Sequence, residues 1–190
     1  MLNTIYDLLD NQFTETKRLR ENLEKSEKKI NLDYKGEMRM NKLIEARKEY
    51  YEEVNALAED TRTKVTSLLD SAESTLKDIV TATPGADFAS DVLVIKTLVS
   101  QSMPDENKKA YLEKYKDNYS ATQTLNNLLY GKEITQSPLD KIKVLTVDIL
   151  AFIENCKKPE KKMECAISLD KRGVILAQLT ELDELLNTYK

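Results

Sequence analysis

Between Leu2 and Ile30 the apolar positions are few and evenly placed. Leu2, Ile5, Leu9, Gln12, Thr16, Leu19, Leu23, Ser26 and Ile30 follow alternating steps of three and four, and six of the nine are strongly apolar. The positions between them, as in "TETKRLRENLEKSEKK", are almost wholly polar. This is the signature of a solvated helix with one thin apolar seam, as in a coiled coil. "DYKGE", Asp33 to Glu37, interrupts it. A second run follows through Leu43, Ala46, Tyr50, Val54, Leu57, Thr61, Val65, Leu68, Ala72, Leu76 and Ile79. In this run Leu43, Val54, Val65 and Leu76 recur every eleven residues, as do Ala46, Leu57, Leu68 and Ile79. That period gives about 3.67 residues per turn, a nearly straight or slightly right-handed seam, whereas a heptad seam coils to the left. Neither helix buries its seam alone, and tertiary packing supplies most helical stability. A short glycine-containing link makes the other helix the nearest partner, so the pattern predicts an antiparallel hairpin with Gly36 just past the end of the first helix. The alternative is one unbroken rod, since a single glycine inside a helix costs only about 1 kcal/mol.

Thr83–Pro84–Gly85 ends the long second run. Beyond it the elements shorten. "DFASDVLVIKTLVSQS" predicts a helix with Val92, Leu93, Ile95, Leu98 and Val99 inward. "MPDENKKAYLEKYK" starts a helix at Pro104, and "SATQTLNNLLYG" reads as a helix capped by Ser120 and closed by Gly131. "SPLDKIKVLTVDILAFIENC" opens with Ser137 and Pro138 and is apolar nearly all round, the pattern of a central bundle helix. "KPEKKMECAISL" reads as a further short helix. "RGVILAQLTELDELLNTYK" closes the sequence with Ile175, Leu179, Leu182, Leu186 and Tyr189 on one stripe. The predicted fold is all-α: a long coiled-coil-like hairpin over residues 1–83, then a small helical bundle over residues 84–190.

Composition supports few, long helices, because only 4 glycines and 4 prolines are available for turns. Net charge is −4 with both signs interspersed, and no coherent basic face for nucleic acid stands out. Histidine is absent, which removes the commonest general base and metal ligand and with them Ser–His and Cys–His nucleophile pairs. The four glycines are isolated, so no phosphate-cradling loop is present. Carboxylate groups such as Glu52, Glu53, Glu59 and Asp60 read as a solvated face. These features point away from an enzyme, a cofactor, a bound metal or a small-molecule substrate. Cys156 and Cys165 read as reduced thiols; pairing them would need a bend at Pro159. No apolar run is long enough to span a membrane, and "MLNTIYDLLDNQ" lacks the basic start of a secretory signal, so a cytoplasmic protein is expected. Tyr111, Tyr115 and Tyr119 are four apart and offer a candidate partner face if one helix carries all three; otherwise they edge the bundle core.

The charged helix, the "YKG" break and the longer helix in "LEKSEKKINLDYKGEMRMNKLIEARKEYYEEVNALAEDTRTKV", roughly residues 20–65, resemble small helical proteins from the virion-assembly modules of phages and prophages of Gram-positive bacteria. The resemblance covers about a third of the chain and implies a structural or assembly role in the host cytoplasm or the virion, with no catalytic residues to carry over. The expected contacts, within the hairpin or between copies of a homo-oligomer, run through Leu2, Ile5, Leu9, Leu19 and Leu23 against Leu43, Tyr50, Val54, Leu57, Val65 and Leu68. The alternative is a phage-encoded or bacterial regulator that binds a host protein through the tyrosine face.

Overall fold

The structure is a computed structural model that describes residues 2–132, 136–158 and 169–189. Among the described residues there are seven helices and no strand. They are α1 (Leu2–Asp33), α2 (Gly36–Thr81), α3 (Phe88–Ser100), α4 (Asp105–Lys114), α5 (Tyr119–Tyr130), α6 (Pro138–Cys156) and α7 (Leu169–Thr188). The short helix predicted in "KPEKKMECAISL" lies, apart from its first and last residues, outside the described residues, as does Cys165.

The chain reverses at Tyr34–Gly36, and α1 and α2 pack extensively on each other as the predicted hairpin. The Tyr34 amide closes the last turn of α1 on the Ile30 carbonyl at 3.0 Å. Gly36 then takes φ +58°, a left-handed conformation that costs an L-residue roughly 1–2 kcal/mol. A Cβ there would meet nothing within 4 Å, so the demand for glycine is purely conformational. Arg47 of α2 donates from Nε to Glu27 of α1 at 2.7 Å, which shows which turns of the two helices face each other.

By contact, the chain forms two compact units, each assembled from distant parts of the sequence: Met1–Leu69 with Val144–Thr180, and Asp70–Lys143 with Glu181–Lys190. α2, α6 and α7 contribute residues to both.

In the first unit the inner ends of the hairpin are covered by α6 and α7. Leu2, Ile5 and Leu9 of α1, Val54, Ala58, Val65 and Leu69 of α2, Leu145, Ile149 and Phe152 of α6, and Ile175 and Leu179 of α7 are all buried. Tyr6, Leu9, Phe152, Arg172 and Ile175 line one small cavity, which places α1, α6 and α7 side by side. Arg172 ion-pairs with Asp10, and its guanidinium lies 5.0 Å from the Phe13 ring centre. α6 is less enclosed than its composition predicts. One face is buried, but Val144 and Val147 are exposed, because neighbouring helices cover only the stripe through Leu145, Ile149, Phe152 and Cys156.

In the second unit, α3, α4 and α5 wrap a core of Ile95, Met103, Tyr115, Ala121, Leu125 and Leu129. Val92, Leu98 and Val99 of α3 are half-buried, but Leu93, predicted inward, is exposed. The cap of α5 is Asn118 rather than Ser120: its side chain accepts from the Ala121 amide at 2.8 Å, so the helix starts two residues earlier. An asparagine side chain competes well for this position. Gly131 closes α5 at φ +64°, as predicted. Tyr189, just past α7, meets Tyr119 edge-on at 5.4 Å between ring centres.

Candidate interaction surface

The hairpin seam is deepest at its inner end and fades toward the turn. Leu2, Ile5 and Leu9 on α1 and Tyr50, Val54 and Val65 on α2 are buried. Leu19, Leu23, Leu43, Leu57 and Leu68 are only half-buried. Deep positions next to them go instead to Arg20, Ala58 and Leu69. On α2 the buried path runs Val54, Ala58, Thr61, Val65, Leu69, Ala72, Leu76 and Ile79. It keeps the eleven-residue period, Val54 to Val65 to Leu76 and Ala58 to Leu69, but selects the neighbour of Leu57 and of Leu68. On α1 the path shifts from Leu19 to Arg20, so buried positions there also pair at eleven: Ile5 to Thr16, Leu9 to Arg20. The two seams therefore agree in period, which lets straight helices stay in contact.

Three polar residues occupy the α1 seam in succession. Gln12 and Thr16 are fully buried, and Arg20 nearly so. Gln12 donates from Nε2 to the Ile153 carbonyl at 3.3 Å. Arg20 donates from a guanidinium nitrogen to the Lys158 carbonyl at 2.7 Å, just beyond the end of α6, where unsatisfied carbonyls favour a cation. Gln12 Oε1 and Thr16 Oγ1 meet no hydrogen-bond donor among the described residues. A seam of alternating threes and fours reveals none of this, because it shows only that these positions face inward. Cys156 is buried in the same unit, and burial pushes its thiol up to about 12 although Arg172 and Arg20 pull it down. A thiol so held stays neutral and unreactive near neutral pH.

The tyrosines do not share a helix. α4 ends at Lys114 and α5 starts at Tyr119. Tyr115, 8 % exposed, lies in the core of the second unit and meets Phe88 edge-on at 4.9 Å between ring centres. Its hydroxyl donates to Asp91 Oδ2 at 2.7 Å, and Lys114 Nζ donates to the same oxygen at 2.6 Å. These two hydrogen bonds, that of Lys114 first, hold the Asp91 carboxyl below its ordinary range. Tyr119 is 7 % exposed, and Tyr111 is half-buried against the same core.

Two concavities are large enough to note. One in the second unit, about 730 Å³, is open and lined by neutral groups of Tyr119, Ser120, Gln123, Thr124, Asn127 and Ser137. The other, about 280 Å³, lies between α6 and α7 in the first unit over Phe152 and Ile175. No cluster of three or more histidine, cysteine, aspartate or glutamate side chains arranged for a metal occurs among the described residues. No described helix is long and apolar enough to cross a membrane.

Exposed large apolar side chains occur on α3 (Leu93, Val94), α5 (Tyr130), α6 (Val144, Val147) and α7 (Val174, Leu176), and on the hairpin. Leu32, Met38, Met40, Ile44 and Tyr51 all stand in solvent. From Glu21 to Glu49 no residue is fully buried, yet both helices continue through this stretch. By fold this is an all-α protein with a long antiparallel helical hairpin. Comparison of the chain with protein-family models, with curated proteins and with solved structures found no match in any of the three.

Proposed function

We propose that the chain is a non-catalytic helical structural or assembly protein that works by protein–protein contact, with the outer hairpin as its contact surface. The observation that carries this reading is the outer hairpin itself. About a dozen residues of each helix, roughly 20 Å at 1.5 Å per residue, extend past the last fully buried position. They present Leu32, Met38, Met40 and Ile44 to water. A thin two-helix seam is marginal alone, and exposed methionine and leucine side chains gain most when another surface covers them. The inner seam, through Leu2, Ile5, Leu9, Val54 and Val65, is occupied within the chain, whereas the outer hairpin has no buried position of its own. Virion assembly in a phage or prophage is the most specific form of the proposal, and it rests on the sequence resemblance over residues 20–65. A regulator that binds a host protein would use the same exposed surface, since Tyr115 and Tyr119 are buried.

A photo-crosslinking residue at position 40 or 44, activated in the cell that makes the chain, tests the reading. Covalent adducts to polypeptide are expected at both positions and not at Thr63, an exposed control on the same helix. Equal background at all three positions refutes it. In the virion version, purified particles or their precursors contain the chain, and its loss stops particle formation.

A further inference from the structure

Leu32 of α1 is 84 % exposed. At about 100° per residue it lies about 140–180° around the helix from Leu19, Leu23, Glu27 and Ile30, the half-buried residues of the outer seam. Its own side of the helix is basic. Lys17, Arg18, Lys25, Lys28 and Lys29 fall within about 60° of Leu32, and all are exposed. Between residues 17 and 32, Glu21 is the only acid in the same arc. Glu24 sits about 80° away, and Glu27 is turned into the seam on Arg47. Arg18 pairs with Glu15 at 2.8 Å. Among the described residues, Lys17, Lys25, Lys28 and Lys29 have no ion pair. In chain order the two signs are interspersed, and the helix sorts them into a basic strip on a chain of net charge −4.

The charge of the strip calls for an anionic partner, and its dimensions and its leucine narrow the kind. From Lys17 to Leu32 it is about 22 Å long and about 10 Å wide, about 220 Å². A stable protein interface buries about 800 Å² per partner, so the strip is too small to hold a folded protein by itself. A lipid surface sets no such minimum, because adsorption grows with each cation that reaches it. A nucleic-acid backbone would meet the charge but offers Leu32 nothing, and lysine lacks the planar fork that grips one phosphate with two hydrogen bonds. On an anionic membrane the ammonium groups stay among the headgroups while their stems and Leu32 reach toward the acyl chains. We propose that this face of α1 lies on an anionic lipid surface, held by its lysines and anchored at shallow depth by Leu32. With a single apolar side chain on the strip, the helix adsorbs rather than inserts, and binding is reversible and falls with salt. The proposal goes beyond the protein contact assigned to the outer hairpin. That contact is tested at positions 40 and 44 on α2, so either can fail alone.

Co-sedimentation of the full chain with phosphatidylcholine vesicles carrying about 30 % phosphatidylserine, and with phosphatidylcholine alone, at about 0.05 and about 0.5 M salt, tests it. Binding is expected with phosphatidylserine at low salt and not in the other conditions. Combining Lys25→Gln, Lys28→Gln and Lys29→Gln is expected to lower partitioning about a hundredfold, at about fivefold per charge, with an unchanged circular dichroism spectrum. The chain contains no tryptophan, so Leu32→Trp places a single reporter on the strip. Its emission is expected to shift to the blue on the anionic vesicles, and that of Thr63→Trp, at an exposed position on α2, is expected to stay in place. Absence of binding at low salt overturns the proposal, as does binding that survives the triple lysine variant. Salt-sensitive, lysine-dependent binding with no shift at Leu32→Trp overturns it too, and assigns the strip to an acidic protein or a nucleic acid instead.

Discussion

Leu68 and Leu69 are adjacent, identical in type, and both inside α2, yet they differ in what surrounds them. Leu69 is 2 % exposed and belongs to the buried path, whereas Leu68 is half-buried on its flank. Replacing either with alanine changes helix propensity by the same small amount, so the difference between the two variants isolates burial. Leu69→Ala loses a full leucine transfer term and leaves a cavity among packed neighbours, which together cost about 3 kcal/mol within a range of roughly 2–5. Leu68→Ala loses about half the transfer term and no enclosed cavity, about 1 kcal/mol. For a chain of this size each kcal/mol lowers Tm by about 2–4 °C, so Leu69→Ala should melt about 6–12 °C lower and Leu68→Ala about 2–4 °C lower. Urea titration followed by circular dichroism, with thermal melts beside it, measures both. Equal losses, or a larger loss at Leu68, would show that α2 is rotated from the orientation described and that Leu57 and Leu68 belong to the seam.

Thr16→Val keeps the shape of a fully buried side chain and removes a hydroxyl with no partner among the described residues. It should raise stability by about 1 kcal/mol; a loss of that size in urea titration would mean the hydroxyl is bonded in the core. Asp91 titrates below its ordinary range because it accepts from Lys114 and Tyr115. A carboxyl depressed in the folded state contributes stability above its unfolded value, and that contribution is lost as pH falls through the folded one. Asp91→Asn should therefore flatten the acid limb of the stability profile between about pH 5 and the lowest pH at which the chain stays folded. Urea midpoints at several pH values check this, and an acid limb as steep as that of the unmodified chain would contradict it.

Much of the hairpin was legible in the residue pattern. A seam stepping by threes and fours, polar flanks and one glycine between two runs are local features, and helix formation responds to local features. The left-handed Gly36 follows because a reversal in so short a link requires it. The phase of the seam was less legible. Leu57 competes with Ala58, and Leu68 with Leu69, and both readings satisfy the same period. The choice depends on which side the other helices of the unit cover. Nor does chain order show the candidate surface. Met40, Ile44 and Tyr51 are ordinary apolar residues in a list, and become a stripe only once the seam is known to lie elsewhere on α2.

From its sequence alone this chain was committed to helices, to a break at Gly36, and to chemistry without histidine, because propensity, periodicity and residue identity act within a few neighbours. Tertiary structure decided which distant segments share a core: α6 and α7 packing beside α1, Arg20 reaching the carbonyl of Lys158, and Tyr115 turning inward to Asp91. Those outcomes depend on shape and burial between residues 24 to 138 positions apart, and periodicity along one helix holds no information about the helix that will lie against it.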